Sequence, residues 1–254
     1  MTENWRLLKT GYKNAYENMA IDYAILVANS RDSVPPTIRF YGWEPSAISI
    51  GYFQSLLDEI NLDKCDELNV DYVRRITGGG AVFHENELTY SIVVSESHPS
   101  ISKNILDSYG RICGGIIKGL NDLGIDAYYE PINDILSKGK KISGNAQTRK
   151  FKTLLQHGTI LMDVDVNKMF SVLNVPDEKI KDKLISNVKD RVTSIKHILG
   201  REVSFNSIED SMKLGFEEEF DVTLKDGELT MEELELSKKY EKQYFSVDSW
   251  NKKR

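Results

Sequence analysis

Cysteine is scarce in this chain: Cys65 and Cys113 are the only two, and they lie far apart. With no second cysteine or histidine at metal-ligand spacing, neither a disulfide framework nor a zinc site is expected, and both thiols read as buried small apolar side chains. Long apolar runs are missing too. No stretch approaches the ~18 uninterrupted apolar residues of a membrane span. The opening Met1-Thr2-Glu3-Asn4-Trp5 has neither a basic nor an apolar leader segment, so a cytoplasmic chain without membrane contact is expected. Positive charge is in deficit, with 33 Lys and Arg against 39 Asp and Glu and a net charge of -6. That balance lacks the basic footprint of a nucleic-acid binder. There is no repeat, low-complexity tract or Pro/Gly/Ser-rich boundary. A single catalytic-type domain over 1–254 is expected, with 165–254 a helical C-terminal part and no separate accessory domain.

What the chain does have is a donor-rich corner, Arg74-Arg75-Ile76-Thr77-Gly78-Gly79-Gly80-Ala81-Val82-Phe83-His84. It follows the strand-like Val70-Asp71-Tyr72-Val73 and runs into another apolar pair. Glycine lets backbone N–H groups approach a ligand closely and form an anion-binding concavity, and arginine adds charge-assisted bonds to phosphate. The spacing is neither a dinucleotide fingerprint nor a P-loop. Three glycines between strands also serve as a plain hairpin; the arginine pair and His84 favour a site.

The rest reads as mixed α+β: central strands flanked by helices. Apolar steps from Asn14 predict a helix that Pro35-Pro36 closes. Thr37–Tyr41 and Ala47–Tyr52 predict a hairpin, and Leu57–Leu68 a short helix. Ser102–Leu123 predicts a long helix ended by Gly124. Strands resume at Asp126, Asp134, Lys141 and Thr153, with a tight turn at Lys138-Gly139. Beyond Asp163 the pattern is helical and charged, with cap-like starts at Ser207 and Thr230 and a solvated acidic end at Glu217-Glu218-Glu219.

A second constellation is Pro131-Ile132-Asn133-Asp134, followed by Lys141-Ile142-Ser143-Gly144-Asn145-Ala146. Asn133 and Asp134 offer hard oxygen ligands for a divalent cation, the companion of a nucleoside triphosphate. A sharp turn at Ser143-Gly144 would aim the Lys141 ammonium at whatever the glycine corner holds, where it could stabilise a developing anion.

These motifs, with Gln156-His157-Gly158-Thr159-Ile160-Leu161, Asn18-Met19-Ala20-Ile21-Asp22 and Ile50-Gly51-Tyr52-Phe53-Gln54, resemble the lipoate-protein ligase and octanoyltransferase superfamily. Its fold is shared with biotin ligases, and the resemblance runs from Trp5 to Trp250-Asn251. It implies an enzyme of one of two kinds. The Pro131–Asp134 motif and the glycine corner are closer to the ligase pattern, in which ATP and lipoate or octanoate form an acyl-AMP. The acyl group then passes to a lysine of a lipoyl domain of a 2-oxoacid dehydrogenase E2 or of glycine-cleavage H protein. The chain as a whole is similar to the octanoyltransferase branch, which takes octanoate from acyl carrier protein through a cysteine thioester. In that branch the cysteine precedes the lysine motif, and here Tyr128–Lys141 contains none. The ligase is the leading expectation and the octanoyltransferase the alternative; a catalytically dead acceptor-binding module is the non-enzymatic one.

On the ligase reading, the resemblance implies that Lys141 polarises the acyl carbonyl and adenylate oxygens. Arg74 and the amides of Gly78, Gly79 and Gly80 would hold phosphate and carboxylate, Asn133 and Asp134 would hold Mg²⁺, and Ala81, Ser143, Gly144 and Ala146 would complete the binding residues. His84 would line the acyl tunnel or orient strands, while His157 reads as structural. Many such ligases use an additional accessory domain, so a separate accessory protein is one expected partner.

Overall fold

The computed structural model describes residues 2–175 and 177–254. Its strands form two sheets. The chain opens with β1 (Glu3–Lys13) and α1 (Ala15–Asn29), followed by β2 (Thr37–Trp43), β3 (Ala47–Ile50), α2 (Leu56–Glu59), α3 (Leu62–Glu67), β4 (Asp71–Arg74), β5 (Val82–His84) and β6 (Glu87–Ser95). Next come α4 (Ile105–Asp122), β7 (Tyr128–Glu130), β8 (Asp134–Ser137), β9 (Lys140–Lys150) and β10 (Thr153–Leu161). The remainder is α5 (Val166–Val172), α6 (Glu178–Arg191), α7 (Ile195–Leu199), α8 (Phe205–Phe220), β11 (Val222–Asp226), α9 (Met231–Tyr240) and α10 (Asp248–Asn251). The large sheet is mixed and eight-stranded, in the order β11-β1-β2-β6-β10-β9-β8-β7; the small one is β4-β3-β5. No described helix is long and apolar enough to cross a membrane.

Alternation along the strands splits the core into layers. Leu7, Ile38, Phe40 and Ile92 pack with Ile112, Ile116 and Phe216 from α4 and α8, whereas Leu8, Tyr41 and Val93 pack with Met19, Ile25 and Leu26 of α1. The large sheet is therefore the middle layer. Helix α1 starts where Asn14 accepts a bond from the Glu17 N–H, a cap that satisfies one orphan donor. The expected turn at Lys138-Gly139 is present, with φ of 50° and 74°. Both cysteines are buried in the core, as expected.

Six expectations are corrected. β2 and β3 do not form a hairpin: both are buried along their length, and β3 crosses to the small sheet to pair with β4 and β5. Residues 57–68 form two short helices instead of one. β9 runs straight through Ser143-Gly144 without a turn. The C-terminal part is not purely helical, because β11 pairs in parallel with β1. The acidic Glu217–Glu219 segment is not simply solvated either: Glu219 meets Arg111 and Lys118, and Glu217 accepts the Leu224 N–H. α8 starts from Ser204 rather than Ser207, whereas Thr230 does form a capping box with Glu233.

Because β4 and β5 flank β3, the corner from Arg75 to Ala81 must cross the end of β3. Gly79 makes the crossing with φ 97°, a conformation that costs glycine little.

Candidate active site

A cavity of about 430 Å³ is lined from both sheets, within the size range of small-molecule sites. Its walls are largely apolar and include Trp43, Phe83, Ala146, Leu161 and Met169. Lys141 stands on this cavity together with Gly79, Gly80, Ala81 and Gly144. Thus the two constellations separated in sequence meet in space. The reason is the order of strands, which sets β9 and β10 opposite the corner between β4 and β5.

Lys141 is fixed from three directions. Its carbonyl accepts the Thr193 N–H at 2.8 Å, its Nζ lies 2.6 Å from Asp134 Oδ1, and its Cε and Nζ would lie 2.7 and 2.8 Å from a Cβ on Gly144. The ammonium therefore rests against the bare Cα of Gly144. Both partners of the ion pair are partly exposed, so the pair contributes position more than stability. A methyl at Gly144 would push the ammonium aside. Gly144→Ala is expected to lower kcat by up to about 10²-fold while the melting temperature barely moves; steady-state kinetics with thermal unfolding checks this.

The other predicted residues divide. His84, Asn133 and Ala146 line the cavity; Gly78 and Ser143 do not. Ser143 is buried within the sheet. Asn133 donates to the Asn145 carbonyl at 2.5 Å and accepts the Asn145 N–H at 3.0 Å, so it ties the loop to β9. Arg74 is corrected outright. Its guanidinium donates to the carbonyls of Gly51, Tyr52, Gln54, Trp250 and Asn251 and does not line the cavity. It is a clasp between the loop after β3 and α10, not a phosphate ligand.

The predicted Mg²⁺ pair also fits poorly. Among the described residues no group of three His, Cys, Asp or Glu side chains could hold a metal. Asp134 faces Lys141, and the Asn133 amide is committed to Asn145. Neither thiol opens to the cavity. Burial pushes Cys113 up to about 12 and Cys65 up to about 11, so neither supplies a thiolate.

Reading the sequence counted Arg75 in the arginine pair but gave it no role of its own; it lines the cavity, and the buried network behind it was missed. Asp22 accepts from Arg39 (2.7 Å), Ser91 (2.8 Å), Tyr41 (3.0 Å) and His157 (3.3 Å). Burial alone would raise the Asp22 carboxyl, but Arg39 and His157 outweigh it and hold it below the usual value. Burial lowers the His157 imidazole against the pull of Asp22, keeping it neutral. The unfolded chain thus binds a proton near the ordinary value of 6.5 that the folded chain refuses. Stability from His157 is present above that pH and is lost as pH falls below it. Urea midpoints are expected to drop on acidification from pH 7 to 5, and His157→Gln is expected to flatten that slope. Aspartate in one helix and histidine in a distant strand give no spacing signal; only the topology joins them.

Residues 14–217 match the lipoyl protein ligase A/B catalytic domain family. Three similar relatives are octanoyltransferases named LipM. That of Kyrpidia tusciae is 38% identical over 98% of both chains, and that of Bacillus subtilis 35% over 99% of both. That of Clostridioides difficile is 39% identical over 98% of this chain and 99% of its own. Among solved structures, the bi-partite lipoate protein ligase of Thermoplasma acidophilum superposes with a TM-score of 0.87 at 29% identity, covering 99% of this chain and 96% of that one. A lipoate-protein ligase A bound with ATP gives 0.83 at 27% identity, covering 99% of each chain. With its mixed sheet, its glycine corner and its lysine strand, this chain belongs to the lipoyl protein ligase A/B catalytic domain family of enzymes.

Proposed function

We propose that this protein transfers an octanoyl group to a lysine of a lipoyl domain or of glycine-cleavage H protein. The observation that carries the reading is Lys141 Nζ, held over Gly144 at an apolar cavity. The acceptor amine adds to the acyl carbonyl and Lys141 stabilises the resulting oxyanion. The carbonyl–sulfur bond of a thioester donor then breaks, and the thiolate leaves with the proton the amine gives up. The names of the relatives favour this octanoyltransferase over the ATP-dependent ligase that the motifs put first. Because both thiols are buried, the acyl group passes from donor to acceptor without resting on a cysteine.

The same buried thiols favour a second reading, ligation through an acyl-adenylate, since that chemistry needs no protein thiolate. A separating experiment supplies octanoyl-acyl carrier protein and an apo lipoyl domain without nucleotide, and in parallel octanoate or lipoate with ATP and Mg²⁺. Intact masses of acceptor and enzyme are then read. Octanoylated acceptor in the first tube, with no acyl group on Cys65 or Cys113, is expected. Modification only in the second tube would replace this reading by the ligase. An acyl-cysteine would overturn direct transfer, and no modification in either would remove the acyl-transfer reading altogether.

A further inference from the structure

Arg75 uses every donor it has. Nε donates to Thr77 Oγ1 (3.1 Å), Nη1 to Ser49 O (2.9 Å) and Ser49 Oγ (3.1 Å), and Nη2 to Gly78 O (2.8 Å) and Gly80 O (2.7 Å). A guanidinium has five N–H groups and no acceptor, so the direction of each bond is fixed. Each hydroxyl therefore receives from Arg75 and keeps one lone pair and one proton for its other neighbour. That neighbour is an imidazole nitrogen: Ser49 Oγ lies 2.7 Å from His84 Nε2, and Thr77 Oγ1 lies 2.7 Å from His157 Nε2. The Nδ1 atoms face carboxylates, Glu87 Oε1 at 2.7 Å and Asp22 Oδ2 at 3.3 Å. A carboxylate only accepts, so in a neutral ring the proton sits on Nδ1 and Nε2 accepts from the hydroxyl. Two chains of carboxylate, imidazole and hydroxyl thus converge on one guanidinium.

The corner responds to this grip. In a trans peptide the C=O and N–H point in opposite directions. With the oxygens of Gly78 and Gly80 turned onto Arg75, the N–H groups of Gly79 and Ala81 point away from it. Among the described residues neither N–H has an acceptor, and both residues line the cavity. Resting on the acyl-transfer reading, we propose that Arg75 is the positioning residue for a pair of backbone donors, the N–H groups of Gly79 and Ala81, that receive the acyl oxygen. With its five N–H groups spent on protein oxygens, Arg75 acts through the two peptide units, whose angle its two relays set.

The relay is tested first without activity, by ¹⁵N-histidine NMR of the wild type. Both His84 and His157 are expected to show a protonated Nδ1 and an unprotonated Nε2. A proton on either Nε2 overturns the assignment even if the enzyme is active, and the tautomers stand as a test even if acyl transfer fails. Kinetics then reads the positioning. Thr77→Val keeps the shape but removes the hydroxyl, and is expected to lower kcat about tenfold with the acceptor KM unchanged. Thr77→Ser restores most of that loss, and Arg75→Lys costs ~10²-fold. A Thr77→Val enzyme as fast as the wild type, or one changed only in acceptor KM, would sink the proposal.

Discussion

Lys141→Ala is expected to lower acyl transfer by 10²- to 10³-fold, the scale for losing one preorganised charge at a developing oxyanion. The fold should survive. The side chain and its ion-pair partner Asp134 are both partly exposed, so the melting temperature should move by little. The loss should appear in kcat rather than in acceptor KM, since the charge Lys141 stabilises exists only in the transition state. An Arg at this position is not a substitute: its planar fork is longer and would collide with the wall at Gly144. Transfer from a preactivated octanoyl donor at an unchanged rate would remove Lys141 from the chemistry.

Asp22→Ala is the largest stability effect the structure implies. It removes the carboxylate that faces Arg39, whose guanidinium is wholly buried and sits 3.8 Å from the centre of the Tyr41 ring. Stranding a buried charge costs about 3–5 kcal/mol, a large share of the ~5–15 kcal/mol by which a domain is stable. A urea titration would show a midpoint displaced to much lower denaturant. A shift under 1 kcal/mol would mean that water reaches Arg39 and that the network is not closed.

Legibility in the sequence followed locality. Helix α4 was plain because its apolar stripe and Gly124, with φ 82°, lie within one continuous segment; its start, capped by Asn104, falls two residues past the expected Ser102. The strand after Lys141 and the glycine corner were also visible, because glycines and cations carry their chemistry in their type. The pairing of strands was not visible. β3 leaves β2 for another sheet, and β11 joins β1 across almost the whole chain, and no local pattern records either choice. The arginine pair shows the same limit: β4 ends at Arg74, and the fold turns the two side chains to different places. Arg75 lines the cavity while Arg74 is spent on backbone carbonyls. The buried relays were equally hidden, because Ser49, Thr77, Asp22 and Glu87 are ordinary residues until the fold sets them beside histidines.

The clasp at Arg74 has a bearing on synthesis. During translation the glycine corner leaves the ribosome long before Trp250 and Asn251, which accept from Arg74, and before β11, which covers the edge of β1. Until β11 emerges β1 offers an open edge, and until α10 emerges Arg74 lacks two of its acceptors, the kind of exposure that draws chains into aggregates. The corner beside the cavity is thus tied down late, by α10, and a nascent chain stalled short of α10 would hold the cavity-lining residues without that clasp.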